Sequence, residues 1–135
     1  AMKTIEILER PGAFLKIIHL GNLWFERVSV LIKEKGLENH IALIGVSPRC
    51  GIVFKENSPS LFRRELFSLY QQELIKRGIL NIGVNNFCLA HTEQDVQYLL
   101  EATAETFTII AEAVRRKSTT GLLQGEPFRP VFTRN

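Results

Sequence analysis

Gln72-Glu73-Leu74-Ile75-Lys76-Arg77-Gly78-Ile79-Leu80-Asn81-Ile82 is the stretch on which the fold turns. Upstream of it, Phe62, Leu66, Leu69, Tyr70 and Leu74 recur at helical spacing, and Gly78 supplies the usual left-handed stop. Ser58 reads as the N-cap of that helix, with Pro59 in its first turn. Beyond the stop, Ile79–Ile82 is a short apolar run that reads as a strand. A polar turn containing Asn85-Asn86 follows, and then Phe87-Cys88-Leu89-Ala90-His91-Thr92-Glu93-Gln94-Asp95 leads into a long terminal helix. The segment therefore reads as helix–strand–strand–helix.

The terminal helix carries its own start and stop signals. Thr92 is placed to cap it, with Asp95 in the capping-box position three residues on. Glu93 and Asp95 suit the positive end of the helix dipole, and Arg115, Arg116 and Lys117 suit the negative end. Val96, Leu99, Leu100, Thr103, Phe107, Ile110 and Val114 form one face. Residues 118–135, rich in Gly, Pro and Thr, read as an extended tail, strapped over a surface or disordered.

Towards the N-terminus, a helix from Lys3 to about Arg10 is broken by Pro11-Gly12. A second helix runs from about Ala13 to Lys35 and ends at Gly36. Its apolar residues between Phe14 and Ile32, Trp24 among them, cover most of the circumference rather than one stripe. A small domain buries one side of such a rod, so the other side is expected to meet a partner. Ile41–Val46 and Cys50–Phe54, joined by the turn Ser47-Pro48-Arg49, read as a hairpin. The predicted order is α-α-β-β-α-β-β-α: an α+β fold with helices on one face of a small, mainly antiparallel sheet of three or four strands. Ala1-Met2 reads as an expression scar, residues 3–117 as one domain, and 118–135 as the tail.

At 135 residues, 45% apolar and 23% charged, the chain can bury a core without disulfides or metal. The net charge of +3 comes from groups spread along the chain, with no basic face for nucleic acid. No apolar run reaches bilayer length and no secretory signal opens the chain, so no membrane partner is expected and a cytoplasmic location is. Cys50 and Cys88, both among apolar neighbours, read as buried, reduced thiols.

The helix–strand–strand–helix run, with its QELIKRGIL and LAHTEQD wording and the GEPFRPVF ending, resembles the C-terminal small domain of class III (fold-type I) pyridoxal-phosphate aminotransferases. The branch it is most similar to is that of glutamate-1-semialdehyde aminomutase and its relatives from polysaccharide gene clusters. The resemblance runs from about Lys3 to Arg134 and rests on the matched order of elements. It implies a domain that covers substrate and contributes to a dimer, through the Phe14–Ile32 helix, in a pyridoxal-phosphate transaminase or aminomutase. It also implies that the larger cofactor-binding domain is absent from this chain, which alone would be inactive.

The residues themselves offer little chemistry of their own. The cofactor needs a lysine for its Schiff base, an acidic partner and a phosphate cup. The lysines here lie on helices among polar neighbours or, for Lys55, at a strand end, and no glycine-rich loop is present. No catalytic, cofactor-binding or metal-ligating residue is assigned. Cys88 and His91 supply only two of the ligands a zinc site wants. His91 reads instead as a residue satisfying backbone groups at the start of the last helix. Flanked by Phe87 and Leu89, Cys88 reads as too buried to be a nucleophile. Three residues remain as substrate-side candidates. The Arg49 fork suits carboxylate or phosphate, and Asn85 and Asn86 could hydrogen-bond sugar hydroxyls or a carboxylate. As turn residues, the asparagines need do no more than tolerate left-handed backbone. Family members often hold the substrate carboxylate with an arginine near Asn85-Asn86, and its absence here turns the resemblance towards the aminomutase or sugar-amine branch. A reading of another class is a free-standing α+β interaction module that docks a partner on the wide apolar helix.

Overall fold

The computed structural model describes residues 2–56 and 59–129. Four helices, α1 (Met2–Leu8), α2 (Ala13–Glu34), α3 (Ser60–Lys76) and α4 (Glu93–Arg116), accompany three strands, β1 (Ile41–Val46), β2 (Arg49–Phe54) and β3 (Val84–Asn86). The sheet is antiparallel in the order β1-β2-β3. The helices α2 and α3 pack against the sheet, and α4 packs against both of them. The fold is α+β, as the sequence predicts. Ser58, the expected N-cap of α3, lies outside the described residues, as does the end of the tail.

Strand alternation divides the sheet cleanly. Ile41, Leu43, Cys50, Ile52 and Phe54 face the helices, and cross-strand partners share a face. Against them lie Leu20, Trp24 and Val28 of α2 and Leu66, Leu69 and Tyr70 of α3, all buried. Phe107 and Ile110 of α4 complete this core. The opposite face carries Ile44, Val46 and Val53, which are 40%, 77% and 41% exposed.

One expected strand is missing. Ile79–Ile82 is not paired, and the third strand begins at Val84, where a turn was expected. The cause is local. Ile79 N–H still belongs to the end of α3, donating to the Leu74 carbonyl at 2.9 Å. The Asn81 side chain then accepts the Gly83 N–H, folding the chain back on itself. Gly83 follows at φ 90°, a conformation open to glycine. Ladder pairing resumes only after that turn, so Leu80 and Ile82 are left 86% and 72% exposed. Helix α3 is thus followed by a single strand.

The helix α2 buries Ile17, Leu20, Gly21, Trp24, Val28 and Ile32 along one stripe. Leu23, Phe25 and Leu31 pack from its flanks, so the domain takes in more of this rod than one side. Phe14, Leu15 and Val30 stay outside, 54%, 71% and 47% exposed. Helix α1 has no buried residue at all. The tail is strapped along α3 as far as it is described: Gln72 donates to the Leu122 carbonyl and accepts from Gln124 N–H, while Phe128 N–H donates to Ser68 Oγ.

Candidate functional site

Arg49 lies 36 positions before Asn85 and its neighbour Asn86, yet the β2–β3 ladder brings it to the same end of the sheet as both. Arg49 is the cross-strand partner of Asn86, and Cys50 is that of Asn85. They do not share a face. Arg49 and Asn86 point away from the helices and are exposed. Asn85 lies on the helix side, half-buried, where its Oδ1 accepts from Asn81 Nδ2 at 2.6 Å. The asparagines expected on a turn therefore stand on a strand, and Arg49 opens β2 rather than closing the hairpin turn.

The close seat of that hairpin on α2 fixes this end of the sheet. Ser47 Oγ donates to the Ile18 carbonyl at 2.7 Å. Gly21 lies against Ser47 and Pro48, with the Pro48 Cα only 3.2 Å from where a Cβ would sit. Phe87 N–H donates to the Pro48 carbonyl at 3.0 Å, so the segment leaving β3 is pinned to the same turn. Behind it, the Phe87 ring meets Trp24 with ring centroids 6.4 Å apart.

Between β3 and the start of α4 lies a half-open cavity of about 290 Å³. Its polar wall is Asn81, Asn85, Asn86, His91, Asp95 and Tyr98, and its floor includes Phe87 and Val96. The Asp95 carboxyl is held below the usual carboxylate range by hydrogen bonds from the Thr92 side chain and backbone, with the nearby charge of His91 acting the same way. Tyr98 OH is tied to the Arg77 carbonyl at 2.6 Å. The cavity thus presents amide groups, one imidazole and one carboxylate, a set suited to hydrogen-bonding a small polar molecule. Two of these residues, Asn81 and Tyr98, were not singled out from sequence. Asn81 was hidden inside an apparent strand, although an asparagine two residues before a glycine is a turn signal.

His91 sits as expected at the start of α4, its Nδ1 accepting the Cys88 backbone N–H at 3.1 Å. Cys88 differs: it is exposed, not buried, and its Sγ lies 3.3 Å from the same Nδ1. Phe87 turns inward and takes the burial that both flanking residues promised. Cys50 is buried, and burial pushes its thiol up to about 11. Among the described residues no three His, Cys, Asp or Glu side chains gather to hold a metal ion.

The residues present do not fit a pyridoxal-phosphate cradle. Lys3 is paired with Glu6 on the surface, and Lys16 and Lys55 donate to the Leu89 and Glu38 carbonyls. Lys76 is paired with the buried carboxylate of Glu73. Burial pushes that carboxyl up, but hydrogen bonds from Lys76, Gln72 and Arg77 outweigh it and hold it below its ordinary value. Lys33 and Lys117 are exposed, and Lys35 ends α2. None is a desolvated amine facing the cavity beside β3.

No helix among the described residues is long and apolar enough to cross a membrane. No family profile matches the chain. It is similar to the 3-aminobutyryl-CoA aminotransferase of Cloacimonas acidaminovorans (strain Evry), with 28% identity over 108 residues. Those residues are 78% of this chain and 25% of that protein, so the chain spans about a quarter of the length of the curated relative it matches. This similarity relates the chain to the aminotransferases.

Proposed function

We propose that this chain is the C-terminal small domain of a pyridoxal-phosphate-dependent aminotransferase or aminomutase, of the glutamate-1-semialdehyde aminomutase-like branch. The observation that carries the reading is the similarity to an aminotransferase along most of this chain and only a quarter of that relative. The α+β order of elements supports it, with the sheet backed by helices on one face. So does the lack of cover at the amino-terminal end. Met2, Ile5 and Leu8 of α1 and Phe14 and Leu15 of α2 are exposed, and a seven-residue helix that buries nothing is not stable by itself in water.

In this reading a larger domain holds the cofactor, whose lysine Schiff base supplies the amino-transfer chemistry. This chain covers the substrate side. Arg49 and Asn86 on the open sheet face, and Asn85 at the cavity, are the groups through which it would hold a polar substrate. The exposed end of α2 contributes to a homodimer, and the chain alone is inactive. Those exposed apolar residues would also serve a free-standing interaction module in the cytoplasm, but the aminotransferase similarity favours the domain.

The test is the reading frame upstream of the codon for Met2, expressed intact. The frame is expected to extend by about 300 residues, the size of a typical large domain, and to yield a protein with the absorbance of a lysine-bound cofactor. A frame that opens at Met2, or an extended protein without that chromophore, would overturn the proposal.

A further inference from the structure

A second cavity, of about 300 Å³, opens between β2, the start of α3 and Phe128 of the tail. It exists because β3 is short. Pairing with β2 ends at Gly51 and Val84, so among the described residues no strand runs beside Val53 and Phe54 on that edge. We infer that this cavity is a binding site for a small carboxylate with an aromatic body, held through Arg64. The inference does not depend on the aminotransferase reading, and the cavity shares no lining residue with the one beside β3.

Charge is the first argument. Arg63 and Arg64, neighbours near the start of α3, both line the cavity. Arg63 is paired with Glu56 at 3.0 Å. Arg129, which shares a smaller hollow with Arg64, is paired with Glu126 at 3.4 Å. Arg64 differs from both. Among the described residues it has no ion-pair partner, and its Nε is buried with no hydrogen-bond acceptor. A guanidinium keeps its charge at ordinary pH, and a buried N–H without an acceptor is costly. Water can accept that bond but cannot balance the charge; an anion does both. One unpaired guanidinium balances one negative charge, which favours a carboxylate over a phosphate dianion.

The walls define the rest of the ligand. Ile52, Phe54, Phe67 and Phe128 make the apolar side. The Phe67 ring lies edge-on to those of Phe54 and Phe128, with centroids 6.3 and 6.2 Å apart. Phe128 N–H donates to Ser68 Oγ at 2.7 Å, so the strapped tail sets that ring in place. Aromatic rings so arranged suit the face or edge of a further ring. The volume stands at the low end of ligand pockets, which run from about 300 to 1,000 Å³. It therefore fits a molecule built on a single ring. The charged end of such a molecule would meet Arg64, and its ring would lie among the phenylalanines.

Phenylacetate is the probe, titrated into the full chain and followed by amide NMR. Half-saturation is expected at about 1–10 mM, the range open to so small a molecule. The largest shifts should fall on the backbone amides of Ile52, Phe54 and Phe67 and on Arg64 Nε–H. Phenylacetamide keeps the ring and loses the charge, and should bind about tenfold more weakly or worse. Acetate, without the ring, should also be the weaker ligand. Arg64→Met keeps the packing of the side-chain stem and should lose the same factor of about ten for phenylacetate. The inference is overturned if phenylacetate gives no saturable shift, if its shifts fall elsewhere, or if phenylacetamide binds as well. Tighter binding of phenyl phosphate would equally overturn the carboxylate assignment. These comparisons use the unaltered chain, so they decide the matter even where Arg64→Met does not fold.

Discussion

Thr92 and Asp95 decide where the longest helix begins. Thr92 Oγ1 accepts the Asp95 N–H at 3.2 Å, and the Asp95 carboxylate accepts the Thr92 N–H at 2.8 Å, so two otherwise unpaired donors are satisfied at once. Thr92→Ala should cost about 1 kcal/mol, read as a lower midpoint of urea unfolding. The pH dependence has a definite sign. Asp95 titrates below its ordinary value in the folded chain, because of the Thr92 side-chain bond first and the backbone bond second. Its contribution is therefore complete above the ordinary carboxylate range and is lost as pH falls through the lowered value. The stability gap between the unaltered chain and Thr92→Ala should narrow on acidification; a gap that widens would contradict this. The cap was legible because every partner lies within three residues. Cys88 was not, because the side that a loop residue presents is set by where Phe87 goes, and Phe87 is drawn inward by Trp24, far away in sequence.

At the scale of elements, the contact that positions the candidate site is the seat of the β1–β2 turn on α2. Gly21 has no side chain because Ser47 and Pro48 occupy that space. Gly21→Ala should push the turn from the helix and destabilise the fold by about 1–3 kcal/mol, the usual range for overpacking. The neighbouring Asn22, exposed on the same helix, should tolerate alanine. Equal melting temperatures for the two variants would show that the close approach is not required. Helices and the β1–β2 hairpin could be read from sequence since their periodicity and turn residues are local. The third strand was misread because Ile79–Ile82 has the composition of a strand while Asn81 satisfies the backbone from its side chain. The convergence of Arg49 with Asn86 was invisible for another reason: ladder register is a long-range property. Nothing in either stretch announces its partner.

For the whole molecule, the distribution of lysines and of uncovered apolar surface makes distinct statements. Lys3 and Lys76 are ion-paired, Lys16 and Lys55 donate to carbonyls, Lys33 and Lys117 are exposed, and no lysine lines the cavity beside β3. Incubation with pyridoxal phosphate and borohydride should give only low, scattered labelling by mass spectrometry; stoichiometric labelling of one lysine would contradict it. The apolar surface points outward at the amino-terminal helices, where Leu15 is 71% exposed and no residue of α1 is buried. Neighbouring exposed apolar residues of this kind are the surface on which the proposed partner would lie. Sedimentation equilibrium of the isolated chain over a wide concentration range puts that claim to the most direct test. The account predicts an average mass rising above 15.4 kDa with concentration and returning towards it in Leu15→Glu. A single 15.4 kDa species at every concentration would contradict it.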